Sequence, residues 1–96
     1  MDEYLLSVSE NPRYKYVVLS PKNKIIRFGA SGYEDYILHK NKARKALYIS
    51  RHQKREDWTN LNKAGTWSRY VLWNLPTLRG SIRDMEKKFS IKISLV

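Results

Sequence analysis

Cysteine is absent from the 96 residues, which excludes disulfides, thiolate zinc sites and thiol nucleophiles. Histidine is nearly absent too. The two present, His39 and His52, are spaced so that a helix would turn them to different sides. The carboxylates Glu34/Asp35 and Glu56/Asp57 come as adjacent pairs whose side chains diverge, so no cluster at helical spacing is expected. No metal, cofactor or acid–base site is therefore expected, and the chain reads as non-enzymatic. No serine lies in a nucleophile-elbow setting, and the short "GASG" (29–32) reads as a tight turn rather than a phosphate cradle.

Long apolar runs are also missing. Nothing approaches the 18 or so residues that a spanning helix needs. The opening "MDEYLLSVSE" carries acids where a signal peptide would be positive. The expectation is a soluble protein of the cytosol or nucleus, or of a particle assembled there.

Acidic residues are scarce, nine against nineteen Lys and Arg, for a net charge of +10. The imbalance is local. Residues 1–38 are neutral in sum, and the whole excess falls in 39–96. Seven Lys or Arg stand between Leu38 and Glu56 with no acid among them. A field of this kind favours anionic partners. Hydrophobic content of 42% and aromatic content of 12% argue for an ordered globule rather than a disordered chain, and the length for a single domain over 1–96.

Its fold class is expected to be α+β. Residues 1–30 read as three strands, near 3–9, 14–20 and 24–29. Tyr4, Leu6 and Val8 alternate, and "ENPR" and "SPKNK" provide the turns, with Asn11 and Asn23 suited to turn geometry. Residues 31–89 read as three to four helices. Glu34 and Asp35 fall in the first turn of a short helix, where acids suit the helix dipole. A helix over 41–55 has a narrow small-residue face of Ala43, Ala46, Leu47 and Ser50. Lys40, Arg44, Tyr48, Arg51 and Arg55 follow each other at spacings of three or four, which predicts one cationic stripe. Thr77 is a fair N-cap after Pro76, and Leu78, Ile82, Met85 and Phe89 form a buried stripe. In 90–96, Ile91, Ile93 and Leu95 alternate with polar residues. This predicts a fourth strand that joins the N-terminal ones in an antiparallel-dominated sheet.

Three tryptophans complete the inventory. Trp67 and Trp73 fit the core, whereas Trp58, in a polar stretch, is the candidate for an exposed contact. The expected partner-binding set is therefore Lys40, Arg44, Tyr48, Arg51, Arg55 and Trp58. An ordinary solvated helix face mixes signs, because like charges four apart repel by a few tenths of a kcal/mol, roughly. A run without acids points to a partner that neutralises it.

The run "FGASGYEDY", then "HK" at His39–Lys40, "YISRHQKREDW" with Arg51–His52, and "AGTWSRYVLWNLPTLRGSI" resembles an uncharacterised family of small basic proteins of large nucleocytoplasmic DNA viruses (giant or chlorella-type viruses). The similarity spans Phe28 to Asp84. It implies a viral origin and transfers no catalytic residue. The expected function is that of a structural component of the virion, a minor capsid protein bridging or cementing capsomers, with other capsid proteins as partners. The alternative is a sequence-nonspecific accessory protein that binds DNA or RNA through the basic helix. A small nuclease is a weaker third reading. No small-molecule substrate is expected.

Overall fold

The computed structural model describes residues 1–96. Its strands are β1 (Glu3–Val8), β2 (Tyr14–Leu19), β3 (Ile25–Ala30) and β4 (Lys92–Leu95). They form one sheet in the order β3-β2-β1-β4. The first three are antiparallel neighbours, and β4 lies parallel to β1, pairing Tyr4 with Ile93. The fold is α+β, with the C-terminal strand in the N-terminal sheet as the alternation predicts.

The turns form where the sequence provides them. In the first hairpin the Asn11 side chain accepts from the Arg13 N–H. In the second, Asn23 takes a left-handed conformation (φ 65°) that asparagine tolerates better than most residues. Gly29, still within β3, and Gly32, in the turn that follows it, have φ of 77° and 87°, so both glycines of "GASG" take the left-handed region while the turn itself is at Ser31–Gly32.

Between β3 and β4 run α1 (Tyr36–His39), α2 (Lys42–His52), α3 (Ala64–Trp67) and α4 (Leu78–Phe89). Asp35 lies just outside α1 as its N-cap, accepting from the Leu38 N–H, so it is not in the first turn as the sequence suggests. Tyr33 and Glu34 lie outside the helix as well. α3 runs on into a wider π-type turn, Ser68–Leu72, closed by a hydrogen bond from the Trp73 N–H to the Ser68 carbonyl at 3.1 Å. Thr77 caps α4 by accepting from the Gly80 N–H.

The core lies between one face of the sheet and α3, the π-type turn and α4. Leu6, Val18, Ile26 and Phe28 from the strands meet Trp67, Val71, Ile82 and Met85, with Ile91 and Ile93 closing one side. Each such side chain, fully buried, contributes about 1.5–3 kcal/mol. Leu78 and Phe89 of the α4 stripe pack against its edge. The alternation fails at strand ends: Val8 is 76% exposed and Leu95 52% exposed. Val8 sits where β1 runs out into the hairpin, and Leu95 at the end of an edge strand. No helix is long and apolar enough to cross a membrane.

Candidate functional site: the basic helix and its cleft

Asn41 starts α2, its side chain accepting from the Ala43 and Arg44 N–H groups. The helix is shorter than the pattern over 41–55 suggests, and its orientation differs too. Ala43, Ala46, Leu47 and Ser50 face solvent, and Lys45, Tyr48 and Ile49 turn toward the body. No residue of α2 is fully buried. A small-residue face can approach a neighbour closely, but it removes little apolar area from water, whereas one tyrosine ring removes much more. The Tyr48 ring stacks on Trp73 with centroids 4.4 Å apart and on His52 at 4.3 Å. Burial pushes its phenol well above the usual range. The Lys45 ammonium donates to the Asn74 carbonyl and lies 5.0 Å from the Tyr36 ring centre. Burial there lowers its pKa.

The expected stripe does not stay on one helix. Lys40 is the left-handed C-cap of α1 (φ 53°), and its ammonium donates to the Ile37 carbonyl at 2.6 Å. Arg55 lies beyond the end of α2. Arg44 stands 3.5 Å from Glu34. Arg51 and Arg55, with Lys42 and Lys54, are exposed and have no carboxylate within 4.0 Å. Tyr48 and Trp58, the two aromatics of the set, are engaged inside the fold. Trp58 is half-buried, with its indole nitrogen shielded from solvent and without a hydrogen-bond partner. The Arg69 guanidinium lies 5.4 Å from its ring centre and 5.0 Å from that of Tyr70. Trp58 is thus not the free contact that its polar surroundings suggest. Trp67 is fully buried and donates its indole N–H to the Leu61 carbonyl at 2.9 Å. Trp73 is half-buried at the core's edge.

Beside α2 opens a cleft of ≈ 650 Å³. Arg44, Leu47 and Arg51 form one wall, Tyr14 and Tyr33 belong to the strand side, and Phe28, Gly29 and Leu72 also line it. Gly29 is required there: a Cβ would come within 2.7 Å of the Leu72 side chain, in a backbone conformation that L residues resist. Asp35, almost fully buried, binds the Lys15 ammonium at 2.6 Å, and the same ammonium donates to the Tyr33 carbonyl. His52 Nδ1 lies 2.9 Å from a Glu56 carboxylate oxygen, and the tip of that carboxylate lies over Gly65, where a Cβ would have to push it aside. His52 and Glu56 are thus paired, although no cluster at helical spacing is expected of the acids at 56 and 57; their separation of four residues is the signal for the pair. No group of three or more His, Asp or Glu side chains is placed to hold a metal ion.

Residues 4–52 match the model of a family of unknown function, DUF5754. The chain belongs to this family. Its matched stretch runs from β1 through α2, so it contains the strand wall of the cleft, the glycine turn and the basic helix. The family match ends at His52, before α3 and α4 complete the core. No curated protein and no solved structure matches the chain.

Proposed function

We propose that the protein is a non-enzymatic binder of nucleic acid that grips the phosphate backbone, without reading sequence, through the outward side of α2 and the residues that follow it. One observation carries this reading. The cations Lys42, Arg51, Lys54 and Arg55 are exposed without acidic partners, while the aromatics of the same segment are turned inward. Interface hot spots are rich in buried aromatic anchors, and here those anchors already serve the fold. Clustered Lys and Arg without them suit phosphates. The resemblance of Phe28–Asp84 to proteins of large DNA viruses supports a viral setting.

A second reading, a minor capsid component, is favoured by a different surface. On the sheet face opposite the core, Leu5, Leu19 and Ile25 stand across from one another on β1, β2 and β3, and Ile25 is 55% exposed. That row suits a protein neighbour.

Fluorescence anisotropy on duplexes of unrelated sequence tests the first reading. Affinity is expected to be alike across sequences and to fall with salt at a log–log slope of about −0.9 per phosphate held. Replacing Arg51 and Arg55 together by Ala is expected to flatten the slope by about two units. An unchanged slope, with an Ile25→Asp variant that no longer enters purified particles, decides for the capsid reading.

A further inference from the structure

We infer that the cleft beside α2 receives an unpaired base, so that the bound nucleic acid is single-stranded; this builds on the phosphate grip proposed above. Arg44, Leu47 and Arg51 are spaced by three and four residues on α2 and line the same cavity. That spacing puts them on one side of the helix. Leu47 is 53% exposed between the two arginines. On the strand side of the cleft stand Tyr14 and Tyr33, 39% and 73% exposed.

Tyr33 is an exposed ring on a fixed base. Its carbonyl accepts from the Lys15 ammonium, and its N–H donates to the Ala30 carbonyl at 3.4 Å. Neither bond involves the ring, which no other aromatic of the fold stacks against. Exposed aromatics beside a cationic track are how proteins hold single strands, since every base has a flat face to stack. A duplex keeps those faces stacked on each other and offers only its phosphates and edges.

The charges agree. Of the acids lining the cleft, Glu34 faces Arg44, Asp35 is bound by Lys15 and Glu56 by His52. Arg27 is held by Glu10. Arg51 is the lining arginine with no carboxylate within 4.0 Å, next to the apolar Leu47. A phosphate on Arg51 and a base against Leu47 and Tyr33 use the two kinds of surface together. The cavity falls within the ≈ 300–1,000 Å³ range of pockets that take small ligands.

The test uses the full chain and three labelled probes of equal length: oligo-dT, an abasic strand and a hairpin duplex. Oligo-dT is expected to bind roughly 5- to 150-fold more tightly than the abasic strand, the span of one base stacking on one aromatic. Tyr33→Ala is expected to remove most of that difference and to leave the salt slope unchanged. The ring is exposed, so the variant should fold, and a thermal melt checks this. Equal binding of oligo-dT and the abasic strand, a preference for the duplex, or a preference that survives Tyr33→Ala overturns the inference. So does poly-glutamate that displaces oligo-dT and shows the same dependence on Tyr33, which assigns the cleft to a protein segment. If the salt slope persists in these cases, the phosphate grip stands and only the base site falls. A missing salt slope in the unmodified protein removes both.

Discussion

The Tyr48 ring lies parallel to that of Trp73, with centroids 4.4 Å apart and planes 1° from each other. This contact, with the Lys45–Asn74 hydrogen bond, fastens a helix that has no fully buried residue of its own. An isolated helix of eleven residues is marginal in water. α2 therefore owes its order to these few attachments, and its cations keep their spacing only while the attachments hold.

Tyr48→Ala is accordingly expected to loosen α2 and little else. Such an aromatic pair is worth about 0.5–1.5 kcal/mol beyond the area it buries. Hydrogen exchange read residue by residue is expected to show α2 amides exchanging roughly 10- to 100-fold faster, with protection in α4 and the central strands unchanged. Uniform acceleration across the sheet would show that α2 is integral to the cooperative core.

Ile82→Ala addresses that core directly. Ile82 is 6% exposed and Met85, one turn on, is fully buried. The truncation is expected to cost about 2–5 kcal/mol, a large share of the ~5–15 kcal/mol that a domain usually has. Urea unfolding measures it. A loss below about 1 kcal/mol would mean that the Leu78, Ile82, Met85 and Phe89 stripe does not face a packed core.

Much of this architecture is visible in the chain. Period-two alternation places all four strands, and Asn23, Thr77 and Gly32 of "GASG" announce the turns and cap that they form. Orientation of α2 is not visible. Helical periodicity groups Ala43, Ala46, Leu47 and Ser50, but burial follows Tyr48, whose partner Trp73 is brought close only by the tertiary fold. The break of the stripe at Lys40 is likewise hidden, because a left-handed lysine carries no compositional mark. Nor does the π-type turn at Ser68–Leu72, which sets the position of Trp73. The His52–Glu56 pair, by contrast, was legible from its spacing.

Alkaline pH provides a separate check on burial. Tyr4, Tyr16 and Tyr48 have phenols raised by desolvation, Tyr48 most strongly. A phenol whose folded pKa exceeds its unfolded value stabilises the fold fully below the unfolded value, about 10. That contribution is lost as pH rises toward the folded value. Stability is thus expected to decline above about pH 10, and Tyr48→Phe to make the decline shallower. Urea midpoints between pH 9 and 11, beside tyrosinate absorbance, report both. An identical decline in the variant would show that Tyr48 does not supply it.

Asp35 joins three parts of the cleft wall, and its substitution separates two of its roles. One carboxylate oxygen caps α1 by accepting from the Leu38 N–H at 3.1 Å, and the other binds Lys15 of β2 at 2.6 Å. Lys15 in turn holds the Tyr33 carbonyl. Asp35→Asn keeps an oxygen for the cap and removes the charge, whereas Asp35→Ala removes both. Loss of a cap costs about 0.5–2 kcal/mol, and breaking a buried ion pair from one side about 3–5 kcal/mol. The Lys15 side chain is 18% exposed, so its ammonium can regain some water and the second figure is an upper bound. The expected order of unfolding free energies is wild type, then Asp35→Asn lower by about 1–3 kcal/mol, then Asp35→Ala lower again by about 1 kcal/mol. Lys15→Met in the Asp35→Asn background is expected to cost less than in the wild type, because the ion pair is already gone. Additive losses in that double-mutant cycle would show that the pair contributes nothing beyond its separate contacts.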